Sequence, residues 1–396
     1  MPDVVIVGAG IVGAATAYYL AEAGARVEVL EATDIATGAT AASFAVDVSR
    51  VKTPRLLYDL AVAGTREHEA LEGAWGAAPW LHRAPTLEWA YATEGRARLR
   101  ERVARLRSWG YPAEWVSRGE ARDVEPALAL SGSAPEEIAL FPQGTWYEPT
   151  VLAGALLDRA QTRGARLHVH DSVTAMETVQ GHITVVRTAT GRRISADVVI
   201  NCAGPDAAKL AALAGTRLPL RRVPGLVATT TSNRTRLGTI LHAGDLNVRP
   251  DGDGRLVLHS WVQDAGLDLY PESGDRVDKA QRLLHQARTM LPGLADAEVQ
   301  EGRVGVRPVP PDGMPLVGFT ADVDNLYVVV SHSAVHMAPL LGRLVARELT
   351  LGREDRLEPF RPTRLQGDDE HEPLDESARN MLAMVTAASK GPAHGR

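Results

Sequence analysis

The sequence predicts an α/β fold in which a parallel sheet and a second, mixed or antiparallel sheet are interleaved along the chain. Residues 4–31 read as an apolar strand, a glycine turn, an Ala-rich helix and another strand. Apolar strand–turn–helix segments recur from Ala196 and from Leu326, whereas strands between residues 220 and 300 alternate in polarity. Uniformly apolar strands are typical of parallel sheets covered on both faces, and alternation is typical of antiparallel strands with one buried face.

The glycine turn has the pattern G-x-G-x-x-G, formed by Gly8, Gly10 and Gly13. Gly8 permits a tight turn, Gly10 lets a pyrophosphate approach the backbone, and Gly13 lets the helix pack closely on the strand. Glu31 follows 18 residues after Gly13, where a carboxylate accepts a hydrogen bond from a ribose hydroxyl and repels a 2′-phosphate. The pattern predicts a Rossmann-type dinucleotide-binding unit. The alternative is a glycine turn in an α/β protein without a ligand.

Changes of composition along the chain predict two interleaved domains and a tail. We expect the nucleotide-binding domain to comprise residues 1–84, 144–219 and 301–365. The α+β substrate domain is expected to comprise residues 85–143 and 220–300, and residues 366–396 to form a polar C-terminal tail.

Local patterns place several elements within these domains. Residues 54–72 and 93–109 read as helices, and residues 117–135 as loop and short turns. The only other glycine-rich candidate, PDGDGRL at residues 250–256, reads as a hairpin turn.

Composition excludes several classes of function. The 49 acidic and 43 basic residues give a net charge of −6 without a basic stripe, so nucleic acid is not expected as a partner. No run of 18 apolar residues occurs and the first strand begins at Val4, so we expect neither a membrane span nor a signal peptide, and a cytoplasmic protein. The single cysteine, Cys202, excludes an internal disulfide, and the 12 histidines show no metal-ligand spacing.

The number of nucleotide sites limits the source of electrons. A flavoprotein that is reduced by NAD(P)H through a stable site needs a second glycine-rich unit, and none is present. Either an organic substrate reduces a bound flavin, or a nicotinamide is the sole dinucleotide. The segments at Ala196 and Leu326 favour the flavin.

Four segments carry a resemblance to a known family. They are GAGIVG with Glu31, YEPTVLAGALLDRAQTRGARLH with the strand at Val173, ADVVINCAGPDAAKLAALAG, and LPGL followed by VGVRPVPPDGMPLVG and HSAVHMAPLLGRLVARELTLG. In this order they resemble the FAD-dependent amine and amino-acid oxidoreductases of the D-amino-acid oxidase, glycine oxidase and sarcosine oxidase superfamily. The resemblance covers residues 4–362.

The resemblance implies a bound FAD and residues to hold it. Val173 would contact the adenine, Ala203 and Gly204 would pass near the pyrophosphate, and the turn at residues 331–337 would meet the pyrimidine end of the flavin. The whole expected FAD set is Gly8, Gly10, Ile11, Val12, Gly13, Glu31, Ala32, Ser43, Val173, Ala203, Gly204, Ser333, Ala334, Val335, His336 and Met337.

The resemblance also indicates that FAD is bound without a covalent link. Gly305 lies about where covalent relatives carry the tethering cysteine, and the small-residue loop ATGATAASFA contains no histidine.

Substrate residues are expected from the same resemblance. Arg307, in G-V-R-P, would bind a substrate carboxylate in the bidentate way that suits a guanidinium; alternatively it caps a loop or pairs with Asp312. His336 would be a second carboxylate contact or a base, or else a histidine on the helix surface.

Weaker candidates for the substrate site are Arg50 and Lys52 in a loop, and His259 and Trp261 on one face of a strand. For Trp261, core packing is the alternative to contact with the substrate.

The resemblance therefore implies oxidation of the C–N bond of an amino acid or N-substituted amino acid, with O2 or another electron acceptor. Two alternatives stay open at this point. One is oxidation of a hydroxy acid or another carbinol, and the other is a module that binds FAD without turnover.

Overall fold

The computed structural model describes residues 1–130, 136–269, 273–365, 375, 378 and 379. The strands are β1 (Asp3–Val7), β2 (Arg26–Leu30), β3 (Leu81–Arg83), β4 (Thr86–Trp89), β5 (Glu114–Val116), β6 (Ile138–Phe141), β7 (Thr145–Tyr147), β8 (Arg166–His168), β9 (Val173–Val179), β10 (His182–Thr188), β11 (Arg193–Ile194), β12 (Val198–Asn201), β13 (Arg221–Thr230), β14 (Ile240–Ala243), β15 (Leu246–Asp251), β16 (Arg255–Ser260), β17 (Val299–Val309), β18 (Leu316–Phe319) and β19 (Leu326–Val330). The helices are α1 (Ile11–Glu22), α2 (Arg55–Trp75), α3 (Thr93–Ser108), α4 (Arg118–Val124), α5 (Pro149–Thr162), α6 (Ala207–Ala212), α7 (Trp261–Asp264), α8 (Ser273–Arg288) and α9 (Ala334–Leu351).

A six-stranded sheet in the order β18-β19-β12-β1-β2-β8 forms the centre of the first domain. All its neighbours pair in parallel except β18, which is an antiparallel edge. Helix α1 packs against α9 and α5. The helices α1 and α9 can approach closely because Gly342 has no side chain. A Cβ at this position would lie 2.7 Å from the carbonyl oxygen of Ala15.

A mixed eight-stranded sheet, in the order β17-β13-β16-β15-β14-β4-β6-β5, forms the second domain. Only β4 and β14 pair in parallel. Helix α8 packs on one face of this sheet, over β13, β15, β16 and β17. The opposite face of the eight-stranded sheet faces the carboxyl ends of β1, β2 and β12 of the six-stranded sheet. These two sheets confirm the predicted α/β fold, in which a Rossmann-type domain is interleaved with a substrate domain.

Several elements differ from the sequence prediction. Residues 118–124, expected to be loop, form α4, because Ser117 and Glu120 make a reciprocal capping box. Trp261 does not lie on a strand: β16 ends at Ser260, whose hydroxyl caps the short helix α7. Strand β17 belongs by hydrogen bonding to the eight-stranded sheet, although the expected domain boundary lies at residue 301. The hairpin turn at residues 250–256 is confirmed between β15 and β16.

Within the described part of the chain, no helix is both long and apolar enough to cross a bilayer. Over the same residues, no group of three or more His, Cys, Asp or Glu side chains is arranged to hold a metal ion. The expected C-terminal tail lies outside the described residues except for Asp375, Ala378 and Arg379.

Candidate functional site: a cavity between the two sheets

A cavity of about 1040 Å³ lies between the two sheets, at the upper end of the roughly 300–1000 Å³ typical of ligand sites. It lies at the carboxyl ends of the parallel strands, where α/β proteins bind nucleotides. Most of the expected site residues line it: Gly8, Gly10, Ile11, Val12, Glu31, Ala32, Ser43, Arg50, Val173, Ala203, Gly204, His259, Trp261, Arg307, Ser333, Ala334, Val335 and His336. Gly13, Lys52 and Met337 do not line it.

The glycine turn makes a cradle that only backbone fits. Gly8 has φ +106°, and a Cβ there would lie 2.5 Å from the carbonyl oxygen of Cys202. A Cβ at Gly13 would lie 1.9 Å from the carbonyl oxygen of Gly8, so Gly13 acts by letting α1 approach β1. Gly10 caps α1 without a side chain and faces the cavity. This cradle fits a dinucleotide pyrophosphate at a helix N-terminus.

Glu31 is held in a fixed orientation at the end of β2. Its carboxylate accepts hydrogen bonds from the backbone N–H groups of Ala9 (2.8 Å) and Thr33 (2.9 Å). The two donors bind different oxygens, and because a carboxylate oxygen can accept more than one hydrogen bond, Glu31, which lines the cavity, can still accept from a ribose hydroxyl.

The turn after β12 is shaped by a buried asparagine that the sequence reasoning missed. Asn201 accepts from the backbone N–H of Ala203 (3.2 Å) and donates to the carbonyl of Ala207 (2.8 Å). Gly204 follows with φ +54°. The turn therefore presents backbone to the cavity at the point where Ala203 and Gly204 line it.

The N-terminus of α9 opens onto the cavity. Its N-cap residue Ser333 makes no side-chain capping bond, so the positive end of the helix is available to a ligand. Ser333, Ala334 and Val335 line the cavity, whereas Met337 is fully buried in the core behind it. Met337 was expected in the FAD set, and the structure places it where it packs the helix instead.

His336 is buried, with 1% of its surface exposed, so the alternative of a helix-surface histidine is wrong. The backbone N–H of Val48 donates to Nδ1 (3.4 Å), and Nε2 lies 2.9 Å from the hydroxyl of Thr65, which donates to Asp47. Burial lowers the pKa of His336, an effect that Asp47 opposes and Lys52 reinforces. A substrate carboxylate would have to displace one of the partners of this neutral ring.

The side chains of Arg50 and Lys52 have different surroundings although the residues are only two positions apart. Arg50 lines the cavity and pairs with Glu88 (2.5 Å), whose other oxygen accepts from Arg102 (2.7 Å). Burial opposes ionisation of Glu88, but Arg102 and Arg50 outweigh it and lower its pKa to about 2. Lys52 does not line the cavity: its Nζ lies 3.2 Å from Nε2 of the cavity residue His332 and pairs with Asp375 (2.9 Å).

A line of polar side chains crosses the inner face of the eight-stranded sheet. His242 on β14 hydrogen-bonds the side-chain carbonyl of Asn247 on β15, and the Asn247 amide lies 3.0 Å from Nδ1 of His259 on β16. Nε2 of His259 then lies 3.1 Å from Asp264. His242, Asn247 and His259 line the cavity, whereas Asp264 does not. The three lining residues lie on three neighbouring strands, so the register of strand pairing brings them together.

Arg307 lies at the end of this line. Nη1 donates to Asp264 (2.9 Å) and to the carbonyl of Pro224 (3.2 Å), and Nη2 lies 3.1 Å from Nε2 of His259. The guanidinium also lies over the ring of Trp261, 5.1 Å from its centroid. Asp264 and His259 thus hold one edge of the guanidinium, and Nε–H on the other edge has no acceptor among the described residues.

The partner of Arg307 differs from the one expected for a structural arginine. Asp312 pairs with Arg364 (2.7 Å), and the carboxylate that faces Arg307 is Asp264. Burial disfavours the Asp264 carboxylate, but Arg307 and His259 together hold its pKa below the usual value.

Sequence reasoning missed Asp264, and one local signal pointed toward this pair. Gly225 lies inside β13, where glycine indicates a close approach. A Cβ there would lie 2.1 Å from Nη2 of Arg307.

Comparisons with known proteins agree with this geometry. A family model described as FAD dependent oxidoreductase matches residues 3–348. The glycine oxidase of Geobacillus kaustophilus (strain HTA426) is 28% identical over 375 residues, which cover 91% of this chain and 97% of that protein. The uncharacterized oxidoreductase YurR of Bacillus subtilis (strain 168) is 29% identical over 385 residues, covering 91% and 99%.

Two solved structures are similar over nearly their whole length. The crystal structure of glycine oxidase from Geobacillus kaustophilus has a TM-score of 0.79 at 26% identity, covering 92% of this chain and 99% of that one. Iminodiacetate oxidase (IdaA) from Chelativorans sp. BNC1 has a TM-score of 0.76 at 26% identity, covering 91% and 98%.

These matches confirm the resemblance carried by the four sequence segments and the prediction that the dinucleotide is FAD. Because the family model spans most of the chain and the cavity supplies a cradle that fits the cofactor, the chain belongs to the FAD-dependent oxidoreductase family that includes the glycine oxidases.

Proposed function

We propose that this FAD-dependent oxidoreductase oxidises the C–N bond of an amino acid or N-substituted amino acid with a free carboxylate. The observation that carries the proposal is the orientation of Arg307. Its guanidinium lines the cavity with 20% of the side chain exposed, and Asp264 holds it from the far side. A preoriented guanidinium is suited to a carboxylate. The names of two similar proteins, glycine oxidase and iminodiacetate oxidase, refer to amino carboxylates.

The chemistry that FAD would supply when bound is an electron sink for a hydride equivalent from the carbon that carries the amine, and water would hydrolyse the imine product. The residues of the chain would orient the substrate and exclude water. Arg307 would hold the carboxylate at one end, and Trp261 beside it would supply an apolar wall. This task needs no nucleophile or acid–base pair, so the proposal does not depend on a catalytic triad.

The protonation of two histidines in the cavity wall indicates which residues of the wall can bind an anionic substrate. Burial lowers the pKa of His242 to about 3, and Arg50 adds to the effect. Burial and Lys52 likewise lower the pKa of His332 to about 4. Both rings are neutral near pH 7, so neither competes with the arginines of the wall for an anion.

The N-terminus of α9 would serve the cofactor. The N–H groups after Ser333, at the positive end of α9, carry no side-chain cap and would stabilise negative charge on a bound flavin.

We further propose that FAD is held without a covalent bond. Cys202 packs against the glycine cradle at the edge of the cavity and is buried; burial raises the pKa of its thiol to about 12, so it is not a reactive thiolate. Gly305 lines the cavity with no side chain to react. Acid precipitation should give a colourless pellet and a yellow supernatant; a pellet that stays yellow contradicts this proposal.

The proposal is tested by mixing the yellow holoenzyme anaerobically with D-, L- and N-methyl amino acids and with hydroxy acids. We expect an amino carboxylate to bleach the flavin absorbance, with an oxo acid and the free amine as products. Bleaching by hydroxy acids alone would replace C–N oxidation by carbinol oxidation. If no member of the panel bleaches the flavin, the proposed substrate class is wrong.

The acceptor is identified in the same experiment. The reduced enzyme is mixed either with air-saturated buffer or with an anaerobic quinone dye, and the return of flavin absorbance is timed. Faster reoxidation by air identifies an oxidase, and faster reoxidation by the dye identifies a dehydrogenase.

A further inference from the structure

Three residues near the C-terminus, Asp375, Ala378 and Arg379, lie beside the part of the cavity that His332 and Trp261 line; we refer to them as the C-terminal anchor. Asp375 Oδ2 accepts from Lys52 Nζ (2.9 Å) and lies 3.2 Å from Nε2 of His332. The side chains of Asp375 and Lys52 are completely buried. Breaking a buried ion pair of this kind leaves an uncompensated charge, so Asp375 fixes the anchor to the wall beside His332.

Ala378 fits a gap that only a small residue can fill. It packs with Val223 and Val309, and Trp261 lies against this cluster. A Cβ at Gly313 would lie 2.3 Å from the Cβ of Ala378, so this contact requires glycine on the opposite side. The guanidinium of Arg307 lies over the ring of Trp261. Because Ala378 packs in the cluster that Trp261 contacts, the anchor lies at the end of the cavity where Arg307 is found.

Arg379 extends from the anchor to the cavity, which it lines. Its backbone N–H donates to the carbonyl of Asp375 (2.9 Å), which ties its position to the buried pair. The Arg379 side chain is exposed, and across the described part of the chain no carboxylate pairs with it. It differs in this from Arg307 and Arg50, which are paired with Asp264 and Glu88.

We propose that Arg379 is a specificity-determining residue that binds a second anionic group of the substrate, and that Asp375 is the positioning residue that holds it there. The substrate class is then an amino acid or N-substituted amino acid with two carboxylates, one on Arg307 and the other on Arg379. This deepens the proposed function and rests on it for the amine. A charge-assisted hydrogen bond to a group that remains partly hydrated contributes roughly a tenfold change in affinity.

The first experiment measures binding, so it does not require turnover. The full-length holoenzyme is titrated with malonate, succinate and glutarate and with the half-amide of each, and the change in flavin absorbance gives the Kd. The half-amides keep one carboxylate for Arg307 and lose the other charge at nearly constant size. We expect at least one diacid to bind about tenfold more tightly than its half-amide.

Variants assign that preference to the anchor. Arg379→Ala should abolish the preference for the diacid while the Kd of the half-amide changes less than threefold, and Arg379→Glu should reverse it. Arg353→Ala is the matched control, because Arg353 is an exposed arginine that does not line the cavity. Asp375→Asn should lower the preference for the diacid even though Arg379 is still present. In the double variant, Asp375→Asn should cause no further loss of that preference beyond the loss in Arg379→Ala.

Each outcome decides the proposal. Equal binding of diacids and half-amides by the wild type overturns it, as does an equal loss of both in Arg379→Ala. If Asp375→Asn loses FAD, then Asp375 serves the cofactor site and is not the positioning residue for Arg379. A diacid preference without flavin bleaching by any amino acid would refute the proposed C–N oxidation and leave the second anion site standing. Bleaching by amino acids without a diacid preference would do the reverse.

Discussion

The two walls of the cavity are built in different ways. The wall from the six-stranded sheet presents mainly backbone: Gly8, Gly10, the turn at Ala203 and the N-terminus of α9. The wall from the eight-stranded sheet presents side chains that hold one another across strands, from His242 to Arg307. The first wall fits a cofactor shared by a whole family, and the second wall is where the substrate would be distinguished.

This difference explains how each wall can change. At Gly8 and Gly13 the backbone cradle has no room for a side chain, because an added Cβ would lie 2.5 and 1.9 Å from backbone carbonyl oxygens. A wall of paired side chains tolerates substitution as long as each buried charge keeps a partner. Four substitutions test this contrast, beginning with the largest expected effect.

Gly13→Ala should abolish FAD binding. The added Cβ would lie 1.9 Å from the carbonyl oxygen of Gly8, a backbone atom of the glycine turn that cannot move aside as a flexible side chain could. We expect a colourless protein or one that fails to fold, measured by flavin absorbance and circular dichroism. Gly154→Ala in α5 is the matched control, since no atom lies within 4 Å of its added Cβ. A Gly13→Ala variant with normal flavin content would refute the rigid cradle.

Arg307→Ala should lower kcat/KM for a carboxylated substrate by about 30-fold or more, because a buried charge-assisted contact contributes about 2 kcal/mol or more. Retention of kcat/KM within about tenfold would exclude Arg307 as the carboxylate-binding residue. The effect should persist in stopped-flow measurement of flavin reduction.

Arg307→Ala also leaves Asp264 buried without its cation, so activity and stability must be separated. The double variant Arg307→Ala/Asp264→Asn removes both charges and should regain much of the lost thermal stability. It should not regain kcat/KM. Recovery of activity in the double variant would show that Arg307 acts only through Asp264.

The sequence predicted the backbone wall well because its determinants are local. Gly8, Gly10, Gly13 and Glu31 lie within one strand–helix–strand unit, and each has a steric or hydrogen-bonding reason that can be read from spacing alone. Met337 is the exception: it follows the flavin-facing turn in sequence, but a helix turns successive side chains by about 100°, which directs this one into the core.

The side-chain wall could be predicted only in part because its partners are distant in sequence. Arg307 was expected, yet its carboxylate was not, since Asp264 reaches it through the pairing of β13 with β16 and β17. Likewise, nothing near Lys52 in the sequence indicates that Asp375, 323 residues away, neutralises it. Sequence spacing does not encode such contacts; sheet register and the path of the chain determine them.

The side-chain wall should also make stability depend on pH. His242 has a pKa of about 3 when folded, lowered by burial and by Arg50, against about 6.5 when unfolded. The unfolded chain therefore takes up a proton first as the pH falls below about 6.5, and the folded state loses about 2 kcal/mol of stability from this group by pH 5. His242→Gln should remove that part of the loss between pH 7 and pH 5.

This dependence is measured by thermal unfolding of the holoenzyme at saturating FAD. His285→Gln, at an exposed histidine of α8, is the matched control and should follow the wild type. A His242→Gln variant whose Tm falls as steeply as that of the wild type would show that His242 is not held neutral by the cavity wall.

Glu31→Gln tests the one side chain on which the backbone wall depends, and should weaken FAD binding by about tenfold. The carboxylate accepts from the N–H groups of Ala9 and Thr33, and an amide replaces one acceptor oxygen by a donor that cannot pair with an N–H. The loss of one such bond costs about 1–1.5 kcal/mol. Glu28→Gln on β2, the strand that leads to Glu31, lies outside the cavity and is the control for the Kd measured by flavin fluorescence quenching. An unchanged Kd in Glu31→Gln would mean that the cradle binds FAD through backbone alone, and the contrast between the two walls would then be complete.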